Sequence, residues 1–235
     1  SKITLESFYK SYNNYPFSIL DSISLANLGG DFGVVGNEDI SSISKGNSYG
    51  VELLAQQKMS SSIYGILSAT YYRSRFEDKN DQLISSSWDN RFILNMTAGK
   101  KFKNNIELGF KYRYSGGSPY TPIDIINSSN RGIWDVNQRG VLDYDLLNTQ
   151  RLNGAHVLDV RIDKKWFFKS WSLNAYIDIE NILNSKSQLP SQYGIDSNLG
   201  ELVDGTDGNP DNYPLYEIIN NSGTLLPSIG LLIEF

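Results

Sequence analysis

Leu226-Pro-Ser-Ile-Gly-Leu-Leu-Ile-Glu-Phe235 closes the chain, and its alternation decides the fold. At period two, Ile229, Leu231, Ile233 and Phe235 fall on one face, with Ser228, Gly230, Leu232 and Glu234 on the other. Left at an exposed edge, such an apolar strand invites pairing with other chains. It suits a closed sheet whose outer face meets lipid and whose inner face meets water. The segments before it then have to repeat the pattern.

They do. His156 to Trp166 sets Leu158, Val160 and Ile162 against Asp159, Arg161, Asp163 and Lys165. After Phe167-Phe168-Lys169-Ser170, the run Trp171 to Asn181 sets Leu173, Ala175, Ile177 and Ile179 against Asn174, Tyr176, Asp178 and Glu180. Earlier, Asp89 to Lys101 turns back at Lys103-Asn104-Asn105 into Leu108, Phe110, Tyr112 and Tyr114, which alternate with Glu107, Gly109, Lys111 and Arg113. Tyr49 to Lys58 and Ile63 to Phe76, parted by Met59-Ser60-Ser61, predict another hairpin. Residues 1–15 predict a strand of undetermined facing.

About eight strands result, with connections alternating short and long. Short turns fall near 59–61, 102–105 and 167–170; long loops are expected at 16–47, 77–87, 115–155 and 183–224. A ten-residue strand of about 33 Å, tilted near 40°, covers roughly 25 Å of lipid-facing band. Trp166, Phe167, Phe168, Trp171 and Phe102 gather at the short-turn level, and Tyr71, Tyr72, Phe76 and Trp88 at the other, as two aromatic girdles. Together these features favour a membrane barrel over a soluble β-sandwich, which also alternates but buries its apolar face in a core.

Composition sets outer limits. The 235 residues include 20 Gly, 15 Tyr and 10 Phe, which lean towards β-structure. No apolar run approaches the roughly 18 residues of a spanning helix, so a membrane crossing has to use strands. A net charge of −5 argues against a nucleic-acid partner. With no Cys, disulfides, thiolate ligands and Cys nucleophiles are excluded together. Ser1 follows no charged-then-apolar leader, so an export signal is expected to have been removed or to lie outside this sequence.

Gly50-Val-Glu-Leu, Ser87-Trp-Asp-Asn-Arg91, Tyr114-Ser-Gly-Gly-Ser-Pro-Tyr-Thr-Pro122, Leu158-Asp-Val-Arg-Ile-Asp-Lys-Lys165 and Asp178-Ile-Glu-Asn-Ile-Leu-Asn184 follow one another in this order. With Ile229 to Phe235, they resemble the C-terminal barrel half of TonB-dependent outer-membrane receptors, particularly those of Bacteroidetes type. The resemblance runs from about Tyr49 onward. It implies a twenty-two-stranded barrel plugged by an N-terminal domain, of which this chain supplies about a third of the strands. It also implies energy-coupled uptake of a siderophore-, cobalamin-, glycan- or peptide-like nutrient through the outer membrane, without catalysis. The implied partners are outer-membrane lipid, the receptor's own plug domain, the TonB complex, the barrel-assembly machinery reading Phe235 as a C-terminal signal, and a surface lipoprotein lid. Neither a plug nor a TonB box is recognisable in the sequence, so the chain is expected to be part of a longer receptor. The alternative is a non-transporting structural or assembly subunit of a larger outer-membrane complex built on the same barrel.

No cofactor, metal or catalytic residue is assigned. His156, the single histidine, has Asp143, Asp145 and Asp159 nearby in sequence but reads as a loop-to-strand residue at the outer rim. Asp204, Asp207, Asn209 and Asp211 place oxygen ligands in one loop, without EF-hand spacing, and read as a solvated acidic loop rather than a calcium site. The charges Glu52, Arg91, Glu107, Lys111, Arg113, Asp159, Arg161, Asp163, Asp178 and Glu180 are expected on polar strand faces, paired across strands. Ligand contacts are expected in the long loops, where Tyr120, Trp134, Tyr144, Tyr193 and Tyr213 stand.

Overall fold

The structure, a computed structural model, describes residues 1–28, 39–195, 202–203 and 209–235. Eight long strands carry it: β1 (Lys2–Ser18), β2 (Ile40–Ser60), β3 (Ile63–Glu77), β4 (Phe92–Phe102), β5 (Ile106–Ser115), β6 (Ala155–Phe167), β7 (Ser172–Glu180) and β8 (Leu226–Glu234). Each pairs antiparallel with its neighbours in sequence, so the sheet is a meander running from β1 to β8. Two short strands join it: Ile23–Ser24 on the outer edge of β1, and Leu83–Ser85 on β3. The chain is therefore all-β and antiparallel. Among the described residues no pairing joins β8 to β1, and the sheet is open.

The tight connections follow from local chemistry. Ser61 (φ 49°) and Ser62 (φ 71°) turn β2 into β3, and Asn104 (φ 63°) and Asn105 (φ 57°) turn β4 into β5. Paired left-handed residues give a hairpin turn whose twist matches its strands, and Asn adopts that conformation more readily than most. The β6–β7 turn closes with a hydrogen bond from Phe168 N to Trp171 O at 2.9 Å, beneath stacked rings 4.1 Å apart.

The first hairpin is longer than its composition suggests. The segment Ser41-Ser42-Ile43-Ser44-Lys45-Gly46-Asn47 was expected in a loop but pairs with Ser11 to Phe17. Gly46 lies directly opposite Phe76, whose ring covers it so closely that a Cβ on Gly46 would sit 2.4 Å from a ring carbon. Backbone pairing and this ring hold a stretch whose side chains have little β preference. On the β4 side of β3 the expectation was too generous: β4 begins at Phe92, opposite Tyr71, and Asp89, Asn90 and Arg91 form a link before it.

The ladder fixes which residues share a face. Leu158, Tyr112, Met96, Leu67, Ala55 and Ile3 make one cross-strand row over six strands. Ile162, Ile177 and Ile229 make another across β6, β7 and β8. The alternate residues give a polar face, as in the row Asp159, Lys111, Thr97, Ile66, Gln56 and Lys2. The apolar face is uncovered: Ile177 is 50% exposed, Leu5 70% and Ile229 80%. The hydrophobic core lies elsewhere, among the long connections at one end, where Ile23, Ala26, Phe76, Trp134, Leu147, Leu215 and Tyr216 are buried.

This register corrects one expected girdle. Tyr71 lies on the apolar face, whereas Tyr72 and Phe76 belong to the polar one, where Phe76 is buried against the rings of Tyr12 and Tyr15. Gly230 is overlaid in the same manner by the ring of Tyr176 opposite it, with ring carbons 2.2 Å from where a Cβ would stand. Gly230→Val is expected to cost about 1–3 kcal/mol, read as a lowered unfolding midpoint. Gly109→Val, where a Cβ meets nothing within 4 Å, serves as the control and leaves the midpoint in place or raises it.

Candidate functional site

Two polar assemblies stand out: the charged face of β5 to β8, and a buried knot where the long connections meet the strand ends. On the face, Arg113 Nη2 donates to Asp159 Oδ2 at 3.0 Å, and Asp159 Oδ1 accepts from Asn181 N at 2.9 Å. Arg161 grips Asp163 through Nε and Nη2 at 2.8 and 2.9 Å, lies 3.9 Å from Asp178, and stacks on Tyr176 at 3.7 Å. Glu107 pairs with Lys101 at 3.6 Å and accepts from the Tyr64 hydroxyl at 2.6 Å. Lys165 pairs with Glu234 on the last strand. The expected cross-strand pairing is thus present for five of these charges, Glu107, Arg113, Asp159, Arg161 and Asp178, while Asp163 pairs with Arg161 on its own strand. Glu52, Lys111 and Glu180 make no ion pair with any described residue, and Glu52 stands directly opposite Glu6.

Arg91 is the exception. Its φ of 68° breaks the alternation, so it does not lie on the polar strand face. Its Nε instead points back to Asp89 Oδ2 at 3.9 Å. Asp89 is the centre of the knot and is fully buried. Arg73 Nε donates to both its oxygens at 3.2 and 3.1 Å, Arg151 Nη2 to Oδ2 at 2.9 Å, and Ser85 Oγ to Oδ2 at 2.9 Å. Ser74 N donates to Oδ1 at 2.9 Å. Arg151 also donates through Nη1 to the carbonyls of Asp89 and Gly117, tying the 115–155 excursion to the link before β4. Burial pulls the Arg151 guanidinium below its usual range, and Arg91 and Arg73 act in the same sense, while Asp89 opposes them.

Around the knot the loops are stitched by backbone-directed amides. Asn148 Nδ2 donates to Asn27 O at 2.9 Å and Ser85 O at 3.0 Å, and Asn27 Nδ2 donates to Glu77 O at 3.1 Å. The 115–155 excursion holds two short helices, α1 (Ile125–Ser129) capped by Asp124 and α2 (Arg131–Asn137) capped by Asn130. Lys79 clips the 77–87 connection to Asp145 at the surface.

The candidate loop aromatics divide. Trp134 is buried in the loop core and unavailable to a ligand. Tyr213 lies under the Arg131 guanidinium at 4.5 Å and donates to Asp135 at 3.1 Å. Tyr120 pairs across to Gln150, and Tyr193 across to Glu217. Tyr144 starts a single 3₁₀ turn. His156 is exposed on β6 opposite Tyr114; none of Asp143, Asp145 and Asp159 is its hydrogen-bond partner, and Asp145 and Asp159 are held by Lys79 and Arg113. Asp204 and Asp207 lie outside the described residues. Asn209 Oδ1 accepts from Asp211 N at 3.0 Å, an ordinary turn contact. No metal-binding group of acidic or histidine side chains occurs among the described residues.

The buried knot escaped sequence reading, although one signal was there. Arg73 follows Leu67, Ala69 and Tyr71 in the apolar column, and a charge in that column needs a partner from outside the strand. No protein-family model and no curated protein matches the chain.

Asp89→Asn removes the one carboxylate among the described residues that compensates these arginines. Losing one member of a buried pair typically costs about 3–5 kcal/mol, so amide exchange in 83–92 and 117–152 should quicken while the β6–β7 hairpin is unchanged. The surface clip responds to pH instead. The Lys79 ammonium, by hydrogen bond and charge, holds the Asp145 carboxyl below its usual range. A carboxylate lowered in this way keeps its tether above its ordinary pKa and loses it as the pH falls through the lowered one. Lys79→Ala should return the Asp145 titration, followed by carboxyl chemical shift, to the ordinary carboxylate range.

Proposed function

We propose that this chain is the C-terminal β-barrel part of a TonB-dependent outer-membrane receptor of Bacteroidetes type. In this reading it forms about eight strands of a plugged, twenty-two-stranded barrel that takes up a nutrient at the expense of an inner-membrane TonB complex. The protein performs no catalysis of its own.

The observation that carries the reading is the cross-strand register. It gathers most of the apolar side chains of the eight strands on one face and leaves that face open, while the opposite face holds ion pairs. Water makes a poor neighbour for an apolar surface of this extent, and acyl chains make a good one. The open edges at β1 and β8 suit strands contributed by the rest of a longer receptor. Phe168, Trp166 and Phe102 at the short-turn level, with Tyr71, Trp88 and Phe92 at the other, suit the two interfaces of a bilayer. The long connections form a hydrogen-bonded cap on the side where the family binds cargo, and the charged face suits contact with a plug.

Because the chain has no Cys, single-cysteine labels test the reading cleanly. In the full receptor in bilayers, nitroxides at Leu173, Ala175 and Ile177 should collide with dissolved oxygen, and those at Asn174 and Tyr176 with a water-soluble nickel chelate. Equal access of the chelate to both sets would overturn the membrane reading. Transport is tested in cells: deleting the receptor should abolish protonophore-sensitive depletion of one class of solute from the medium. Intact uptake of every solute in the deletion strain would favour the structural-subunit alternative.

A further inference from the structure

The Asp89 knot holds more positive charge than its structural role requires. Arg73, Arg91 and Arg151 converge on one carboxylate, so two cationic charges remain uncompensated among the described residues. Glu77, the next acidic side chain along β3, is committed to Lys45, accepting from its backbone N–H at 2.7 Å. Arg75, two residues beyond Arg73 in the same column, makes no ion pair with any described residue.

The position of this surplus is as informative as its size. The column on β3 reads Leu67, Ala69, Tyr71, Arg73, Arg75, so the charge begins one step beyond the last apolar side chain. Tyr71 and its cross-strand neighbour Phe92 are both exposed there, and Trp88 is 57% exposed on the link that carries Asp89. Arg73 and Arg151 are largely enclosed by the knot, but the Arg91 side chain is 48% exposed. At 3.9 Å from Asp89, Arg91 has the loosest hold on the carboxylate and keeps guanidinium donors free.

The geometry points to a binding site for the phosphate of a lipid headgroup in the outer leaflet, formed by Arg91 and Arg75 above the Tyr71–Phe92–Trp88 aromatic level. Guanidinium matches phosphate geometry with paired donors, and apolar column, aromatic level and cations follow the order of acyl chain, interface and headgroup. This inference rests on the membrane reading above. Asp89 has a defined part in it: by enclosing Arg73 and Arg151 it fixes the base of the site and leaves Arg91 for the lipid.

The test uses the full receptor in nanodiscs of phosphatidylcholine with a minor fraction of phosphatidic acid, the retained lipids being counted by native mass spectrometry after extraction. Phosphatidic acid should be retained over phosphatidylcholine. Arg91→Gln should lower that preference about tenfold, as befits loss of a charge-assisted contact, and Arg91→Lys should restore part of it. Arg75→Gln, outside the knot, should weaken retention without altering amide exchange in the loops. Unchanged preference in both Gln variants, or no preference in the parent, overturns the site. Equal binding of inorganic phosphate by lipid-free receptor, competing fully with the lipid, overturns the assignment to a headgroup. Failure to insert into nanodiscs at all sinks the membrane reading instead, so the two failures are distinguishable.

Discussion

Strict period-two alternation, kept in register across eight strands, is the constraint on which the molecule depends. A slip of one residue at any pairing would carry an isoleucine column to the charged side and a carboxylate to the apolar side. The tight turns guard against this. Ser61-Ser62 and Asn104-Asn105 each fix a hairpin by paired left-handed residues, and Phe168 stacked on Trp171 closes a third. The irregularities of β1, between Tyr12 and Pro16, fall near its loop end, beyond the apolar rows. A further shift lies between Gln57 and Ser60 beside the β2–β3 turn, so register is kept through the middle of these strands and relaxed at their ends.

The apolar side is uncovered, and hydrophobic packing in the usual sense is confined to the loop end. Two kinds of glue divide the molecule. Backbone ladders, rings laid over glycine and cross-strand ion pairs hold the sheet. Buried serines, asparagines and one aspartate hold the loops, in a core with few large apolar side chains. Buried polar networks are stable only when their members are satisfied, and Asp89 meets that condition with donors from five residues, counting Arg91's weaker approach.

Much of the sheet was legible in the sequence because alternation is a local signal that a long strand repeats many times. Leu158 to Ile162 and Leu173 to Ile179 show which side each residue takes without reference to anything distant. The extension of β2 back to Ile40 was not legible, since a run of serines, Gly46 and Asn47 has the composition of a loop; its strand character is imposed by β1 and by the Phe76 ring. The Asp89 knot stayed hidden for a related reason. Its two hydrogen-bonded arginines lie 16 and 62 residues from Asp89 along the chain, and nothing in the spacing of Arg73, Asp89 and Arg151 announces a contact. Arg91 was misplaced because a positive φ at a non-glycine residue overturns the parity from which strand facing is read.

The meander has an implication for how the parts come together. Every long strand pairs with the strands beside it in sequence, so hairpins can zip up one after another as the chain arrives, each offering its edge as the template for the next. Arg151 can reach Asp89 only after β4 and β5 are in place. Closing the loops is then a late event, because Asn148 and Arg151 tie them only to segments that the earlier hairpins have already set in place.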